Sequence, residues 1–255
     1  MSETAGEAPH SPANRLGVLH RLVVVSLLGF ASGLPLALTG QALQAWLSVE
    51  GLDIAAIGFL SLVGLPYTFK FLWAPLIDRF DLPWLGRRRG WMVTCQLLLA
   101  GLLLLLADTS PTTSMRLFAL LAFTVAFLSA SQDVAIDAYR TDLLPPAERG
   151  LGASLNIMGY RLAMILSGGI ALIWTDPRQG GGWSWPEVYR VMAALMVLAA
   201  GVSALLLPRL QRDLRPRSLP RHDLLGFAAV AAAVAVGFAF TDQVAGPLAR
   251  AALAP

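Results

Sequence analysis

The 255 residues are 56% hydrophobic and 14% charged, with a mean hydropathy of +0.64. A soluble domain carries about 25% charged residues, so lipid is the expected solvent and a soluble enzyme is excluded. The net charge of +3 comes from eighteen arginines and one lysine, the arginines grouped between apolar runs, which belongs to membrane topology and not to nucleic-acid binding.

Residues 1–20 are polar, with Pro9 and Pro12, and predict a disordered tail. Seven apolar runs follow, near residues 22–47, 54–77, 91–107, 116–138, 151–174, 188–207 and 224–245. Each is long enough to cross about 30 Å of hydrocarbon as a helix. The first is longer than a signal-peptide core and is followed by more spans, so it is read as a retained helix. Between the runs stand Gly51, Pro83 with Gly86, Pro111, Pro145 with Pro146, Pro177 with the run Gly180 to Gly182, and Pro208, Pro216 and Pro220. The predicted fold is an all-α membrane protein: a tail over 1–20, a six-helix bundle over 21–207, a connection over 208–223 rich in Arg and Pro, and one further helix within 224–255. A lone seventh helix has little to pack against, so the chain is expected to belong to a longer protein whose second half is missing here.

Cation placement sets the predicted orientation. With the N-terminus in the cytoplasm, thirteen arginines lie in inside segments, among them Arg79, Arg87 to Arg89 and Arg140, and four (Arg116, Arg178, Arg190 and Arg250) lie outside. That is a strong positive-inside bias.

Within the spans, polar residues are few. Span 1 carries Gly29, Gly33, Ala37, Gln41 and Ala45 at intervals of four, with Pro35 inviting a bend. Small residues at that spacing let helices approach closely. The amides of Gln41 and Gln44 have two readings, bonding between helices or binding of sugar hydroxyls. Lys70 lies about 10 Å from the arginine-bearing end of span 2, and Asp133 lies at a similar depth in span 4. A charge at mid-membrane costs at least ~2.5–3.5 kcal/mol, so such groups usually face the bundle interior and pair. Lys70 with Asp133 is the leading pair, and snorkelling of Lys70 to the surface is the rival.

In span 4, Ser129, Asp133 and Asp137 recur every four residues, with Gln132 beside them. Such a stripe normally lines a wet cavity, and two carboxylates in it are candidates for a protonation switch. Asp137, near the interface, also has Arg140 as a prospective partner. Arg161, near the middle of span 5, calls for a carboxylate in span 4 or an anionic substrate. Ala163, Ser167 and Ala171 repeat the small-residue spacing and are read as packing. Cys95 is the only cysteine, and the histidines, His10, His20 and His222, lie at or outside span ends. No disulfide, metal site or cofactor is expected.

The connection after span 2, Asp78-Arg79 to Gly86-Arg87-Arg88-Arg89-Gly90, resembles the loop signature of the major facilitator superfamily. The stretches SGLPLALTGQALQAWL (32–47), SLVGLPYTFKFLWAPLIDRF (61–80), GRRRGW (86–91), SASQDVAIDAYRTDLLPPAERGLGASL (129–155) and GYRLAMILSGGIAL (159–172) are similar to the AmpG-type muropeptide permeases. The resemblance runs from about residue 20 to 207. It implies two six-helix halves around a central site, in a bacterial inner-membrane transporter that imports anhydro-muropeptides with protons for cell-wall recycling. Its expected partners are the muropeptide, protons and the lipid bilayer. On that pattern Asp133, Asp137 and Lys70 would couple protons, Arg161, Gln41, Gln44 and Gln132 would bind substrate, and Asp78, Arg79, Gly86, Arg87, Arg88 and Arg89 would form a conformational loop. Asp242 sits where the family's next acidic span begins, with Ala239 or Phe240 in place of the lysine expected before it. Rival readings are a transporter of another cargo such as acetyl-CoA, a membrane-embedded envelope enzyme, or a non-transporting scaffold. Convergent catalytic groups are missing from the sequence, and the cost of three lipid-depth charges argues against a scaffold.

Overall fold

A computed structural model describes residues 12–79, 85–178, 181–208 and 210. The seventh run and Asp242 lie outside the described residues. The chain divides into two compact units, Met1–Gln211 and Arg212–Pro255, and the described residues all belong to the first. Among them six helices are long and apolar enough to cross a membrane: Gly17–Val49, Ile54–Leu72, Arg88–Ala107, Met115–Leu143, Pro146–Thr175 and Trp185–Leu205.

The first span is α1 (Pro12–Ala37), a wide turn over Leu38–Ala42, and α2 (Leu43–Val49). Pro35 lies inside α1. Its ring removes the N–H that would bond the Ala31 carbonyl, and Gln132 Nε2 donates to that carbonyl at 3.1 Å instead. Gly40, at φ −101° and ψ −105°, completes the bend. Helix α2 stops at Gly51, φ 76°, where Gly51 N–H donates to the Ser48 carbonyl and Leu52 N–H to the Leu47 carbonyl, both at 3.1 Å.

The second span is not the continuous helix that its hydropathy predicts. It runs as α3 (Ile54–Leu60), a tight turn over Ser61–Gly64, α4 (Leu65–Phe69), a second tight turn over Lys70–Leu72, and α5 (Ala74–Arg79). Pro66 and Pro75 each delete a ladder hydrogen bond and stand in the first turns of α4 and α5, just after the two tight turns. The following spans are regular: α6 (Arg87–Ala107), α7 (Met115–Leu143), then α8 (Arg149–Met164) widening over Ile165–Ile170 into α9 (Ala171–Thr175), and α10 (Trp185–Leu205). A capping box between Ser184 and Glu187 starts α10.

Helices α1 and α8 run parallel and touch backbone to backbone. A methyl group on Gly29 would stand 2.1 Å from the Asn156 carbonyl oxygen, one on Gly33 2.4 Å from that of Tyr160, and one on Gly159 2.2 Å from that of Ser26. Ala163 and Gly168 extend the same face, against Gly33 and Ala37. The small-residue stripes of spans 1 and 5 are therefore two sides of one crossing.

At one end of the bundle Trp46 packs edge-on against Phe118, with ring centroids 5.2 Å apart, and the Tyr189 hydroxyl donates to the Leu38 carbonyl at 2.6 Å. The other end holds Arg21, Arg88, Arg89 and Arg140 and is called the arginine end below. Large apolar side chains such as Leu98, Leu105, Leu120, Leu162 and Leu198 point outward. Such a surface suits acyl chains and not water.

Candidate functional site

The polar face of α7 meets α1, α8 and the broken second span inside the bundle. Residues 133, 137 and 140 fall on one side of a helix, at i, i+4 and i+7. Asp133 is 7% exposed, and its carboxylate accepts a hydrogen bond from the Ser32 hydroxyl of α1. Lys70, at the second break of span 2, places its ammonium 3.7 Å from Asp133 Oδ2 and 3.8 Å from Asp137 Oδ2. One cation is thus shared between two carboxylates a helical turn apart. Nζ lies between those two oxygens, so α7 pairs the ammonium while about a third of the Lys70 side chain stays exposed.

The column continues toward the arginine end. Arg140 reaches back to Asp137 at 3.2 Å and also donates to Asn156 Oδ1 of α8 at 3.2 Å. Asn156 Nδ2 in turn donates to the Val25 carbonyl of α1 at 3.2 Å. Charges alternate along it as minus, plus, minus, plus, from Asp133 through Lys70 and Asp137 to Arg140. The alternating signs offset part of the cost of burying Asp133, while Asp137 is half exposed, and each link depends on its neighbours.

Span 2 can hold a cation here because its backbone is irregular at this level. Non-helical backbone at membrane depth is tolerated where protein covers it or where it lines a wet cavity, and here none of Lys70, Phe71 and Leu72 is buried. The Trp73 indole anchors the break, donating to Ser131 Oγ at 3.0 Å and stacking on Phe127 with centroids 4.7 Å apart.

Of the two partners expected for Arg161, a carboxylate in span 4 or an anionic substrate, the structure does not supply the first. It is exposed on α8, and among the described residues no carboxylate lies within ion-pair distance of it. The reason is helical phase: Gly159 faces α1, and two residues further on the helix has turned by about 200°. Asp133 is already engaged by Ser32 and Lys70. Gln41 and Gln44 are also exposed, at the bend of the first span and the start of α2, whereas Gln132 is wholly buried between α1 and α7. The structure therefore separates the four residues expected to bind substrate into three outward side chains and one sealed inside.

A second cluster closes the arginine end. Gly86, at φ 82° and ψ 168°, takes a backbone conformation open to glycine alone and starts α6. Arg88 pairs with Asp78 at the end of α5 and with Asp142 at the end of α7, the latter at 3.3 Å. Arg89 is 8% exposed and donates to the Ala204 carbonyl in the last turn of α10. Cations at a helix N-terminus oppose its dipole by about 0.3–1 kcal/mol each, and here they bind the negative ends of the neighbouring helices instead. The side chains of Arg79 and Arg87 lie outside the described residues.

Sequence reasoning did not single out Ser32, Tyr67 or Asn156. The missing N–H of Pro35 was a signal for an acceptor at Ala31, and the spacing of Asn156, Gly159 and Ala163 was a signal that Asn156 faces α1.

A model of the Major Facilitator Superfamily matches residues 25–253. Over 177 residues, 69% of this chain and 35% of the relative, the sequence is 50% identical to a protein of Escherichia coli strain K12 named anhydromuropeptide permease. It is 43% identical over 152 residues to an uncharacterized protein of Haemophilus influenzae, covering 60% of this chain and 36% of that one. It is 32% identical over 183 residues to a protein of Rickettsia conorii named putative transporter AmpG 4, covering 71% and 44%. The chain thus spans between about a third and less than half of the length of these relatives.

Proposed function

We propose that this chain, which belongs to the Major Facilitator Superfamily, forms the first half of a proton-driven importer of anhydro-muropeptides in the bacterial inner membrane, with its N-terminus in the cytoplasm. The observation that carries the transport reading is Lys70 held between Asp133 and Asp137 at membrane depth. The cargo class is supported by the 50% identical relative named anhydromuropeptide permease, and GlcNAc-anhydroMurNAc with or without its stem peptide is the form proposed. The orientation follows from the thirteen arginines on one side against four on the other.

Ionised, Asp133 and Asp137 together hold the Lys70 ammonium. Protonation of Asp133 removes half of that hold and frees Lys70 for a cargo carboxylate, and loss of the proton to the cytoplasm restores the bridge. Arg161, with no carboxylate at ion-pair distance among the described residues, and the amides of Gln41 and Gln44 stand on the outward surfaces where sugar hydroxyls and carboxylates can meet them. The Arg88 clasp on Asp78 and Asp142 ties together the ends of α5, α6 and α7 that face the cytoplasm in this orientation. Each charge moving inward gains ~2.3 kcal/mol per 100 mV, nearly two decades of accumulation.

Uptake of labelled GlcNAc-anhydroMurNAc into vesicles carrying the whole protein tests the reading. Wild-type accumulation is expected to collapse with a proton uncoupler, and Asp133→Asn is expected to equilibrate the cargo without concentrating it. Uncoupler-sensitive accumulation by Asp133→Asn would overturn the coupling scheme.

A further inference from the structure

Three polar groups lie on the side of Asp133 away from the arginine end, and the scheme above leaves them without a task. Ser129 precedes Asp133 by one turn of α7, about 6 Å along the axis. It is 0% exposed, and its hydroxyl has no hydrogen-bond partner among the described residues. The Tyr67 hydroxyl of α4 is also buried and makes no hydrogen bond of ordinary geometry among them, with the Ser129 and Thr39 hydroxyls as its neighbours. Thr39 donates to the Pro35 carbonyl at 3.0 Å, which leaves its oxygen free to accept.

Chain direction puts these groups at one level. Helix α1 runs opposite to α7, so Thr39, beyond Ser32, comes level with Ser129, before Asp133. In the second span Tyr67 precedes Lys70 by three residues, in the same sense as α7. Three helices thus each contribute one hydroxyl to a place directly above the Ser32, Lys70 and Asp133 contact.

A buried hydroxyl without a partner costs about 1–3 kcal/mol. A small ligand that both donates and accepts can bond all three hydroxyls at once. An apolar ligand would leave them unpaired, and an ion would meet no opposite charge at Ser129, Tyr67 or Thr39. A water molecule needs two to four polar partners, which this place supplies.

We propose that Thr39, Tyr67 and Ser129 bind ordered water that carries the proton to Asp133 from the outer side of the membrane. Each oxygen along the path takes one proton and passes one on, so Tyr67 and Ser129 end unchanged and Asp133 gains one proton. The groups facing the receiving carboxylate are Lys70, Asp137 and Ser32, with Tyr67 and Tyr160 nearby. The inference rests on Asp133 being the proton acceptor, and its test separates the two.

X-ray radiolytic footprinting of the protein in vesicles reads the water itself, because bound water yields hydroxyl radicals in place. Tyr67 is expected to be modified at least fivefold faster in wild type than in Ser129→Val, while the hydrogen-bonded and buried Tyr139 and Tyr189 stay slow in both. Equal modification of Tyr67 in the two proteins would overturn the water site. In uptake, Tyr67→Phe and Ser129→Val are expected to lower the maximal proton-driven rate at least tenfold with the cargo KM unchanged, and Ser129→Thr to restore it within twofold. If both variants run at the wild-type rate while Asp133→Asn is uncoupled, the water path falls and the coupling scheme stands. If Asp133→Asn remains coupled, the coupling scheme falls and with it the path.

Discussion

Gln96 shows what a single side chain costs in this bundle. It is 0% exposed in α6, and neither atom of its amide has a partner among the described residues. Leucine has nearly the same volume, so Gln96→Leu is expected to stabilise the protein by about 1–3 kcal/mol, read as a higher midpoint of thermal unfolding in detergent. Lys70 lies at the opposite extreme. Lys70→Met leaves two carboxylates facing each other across the column and is expected to reduce concentrative uptake more than tenfold, with Lys70→Arg retaining part of it. Arg161→Gln removes no ion pair seen among the described residues. It is expected to change stability by less than about 0.5 kcal/mol, as at an ordinary surface site, and to raise the KM for a carboxylate-bearing cargo. The Lys70–Asp133 contact was legible in the sequence because the cost of a lone charge in lipid forces a partner, and only Asp133 and Asp137 were deep enough. For Arg161 the same argument left a span 4 carboxylate and an anionic substrate both open, since cost says that a charge needs company but not toward which face of its helix it turns.

The crossing of α1 and α8 is the element that tolerates least change. Gly29→Ala or Gly159→Ala drives a methyl into a backbone carbonyl and is expected to cost about 1–3 kcal/mol or more. At Gly169 an added methyl would meet no atom within 4 Å, so Gly169→Ala is the matched control and is expected to leave the midpoint unchanged. Loss of stability in the control to the same degree would show that the contact is not what sets the cost. Small residues repeating every four made Gly29 and Gly33 of the first face and Ala163 of the second readable before the structure, but not Asn156 or Gly159. That the two faces meet was not readable, because three other spans separate them along the chain and spacing carries no address. The second span was misread as continuous for a related reason: mean hydropathy over 54–77 is blind to Pro66 and Pro75, whose missing N–H groups divide it and set Lys70 at a break.

At the scale of the whole molecule, the arginine clasp and the aromatic end define opposite poles. Cys95 is 1% exposed, so Cys95→Ala gives a background without thiols. On it, Thr112→Cys is expected to react with a membrane-impermeant maleimide applied outside intact cells, and Ala147→Cys only after lysis. The reverse pattern would invert the orientation. Both positions are exposed in connections, at opposite ends of α7.

The parallel crossing has a consequence for how the chain is made. The Asn156 amide that bonds the Val25 carbonyl is 131 residues further along. At a synthesis rate of about 5–20 residues per second the first helix waits roughly 7–26 s for its mate. Throughout that interval its glycine groove, with Ser32 in the wall, lies open to whatever the insertion machinery offers. A ribosome stalled before codon 156 should therefore leave the nascent first helix crosslinkable to the translocon or to an insertase, and one stalled well past codon 168 should not.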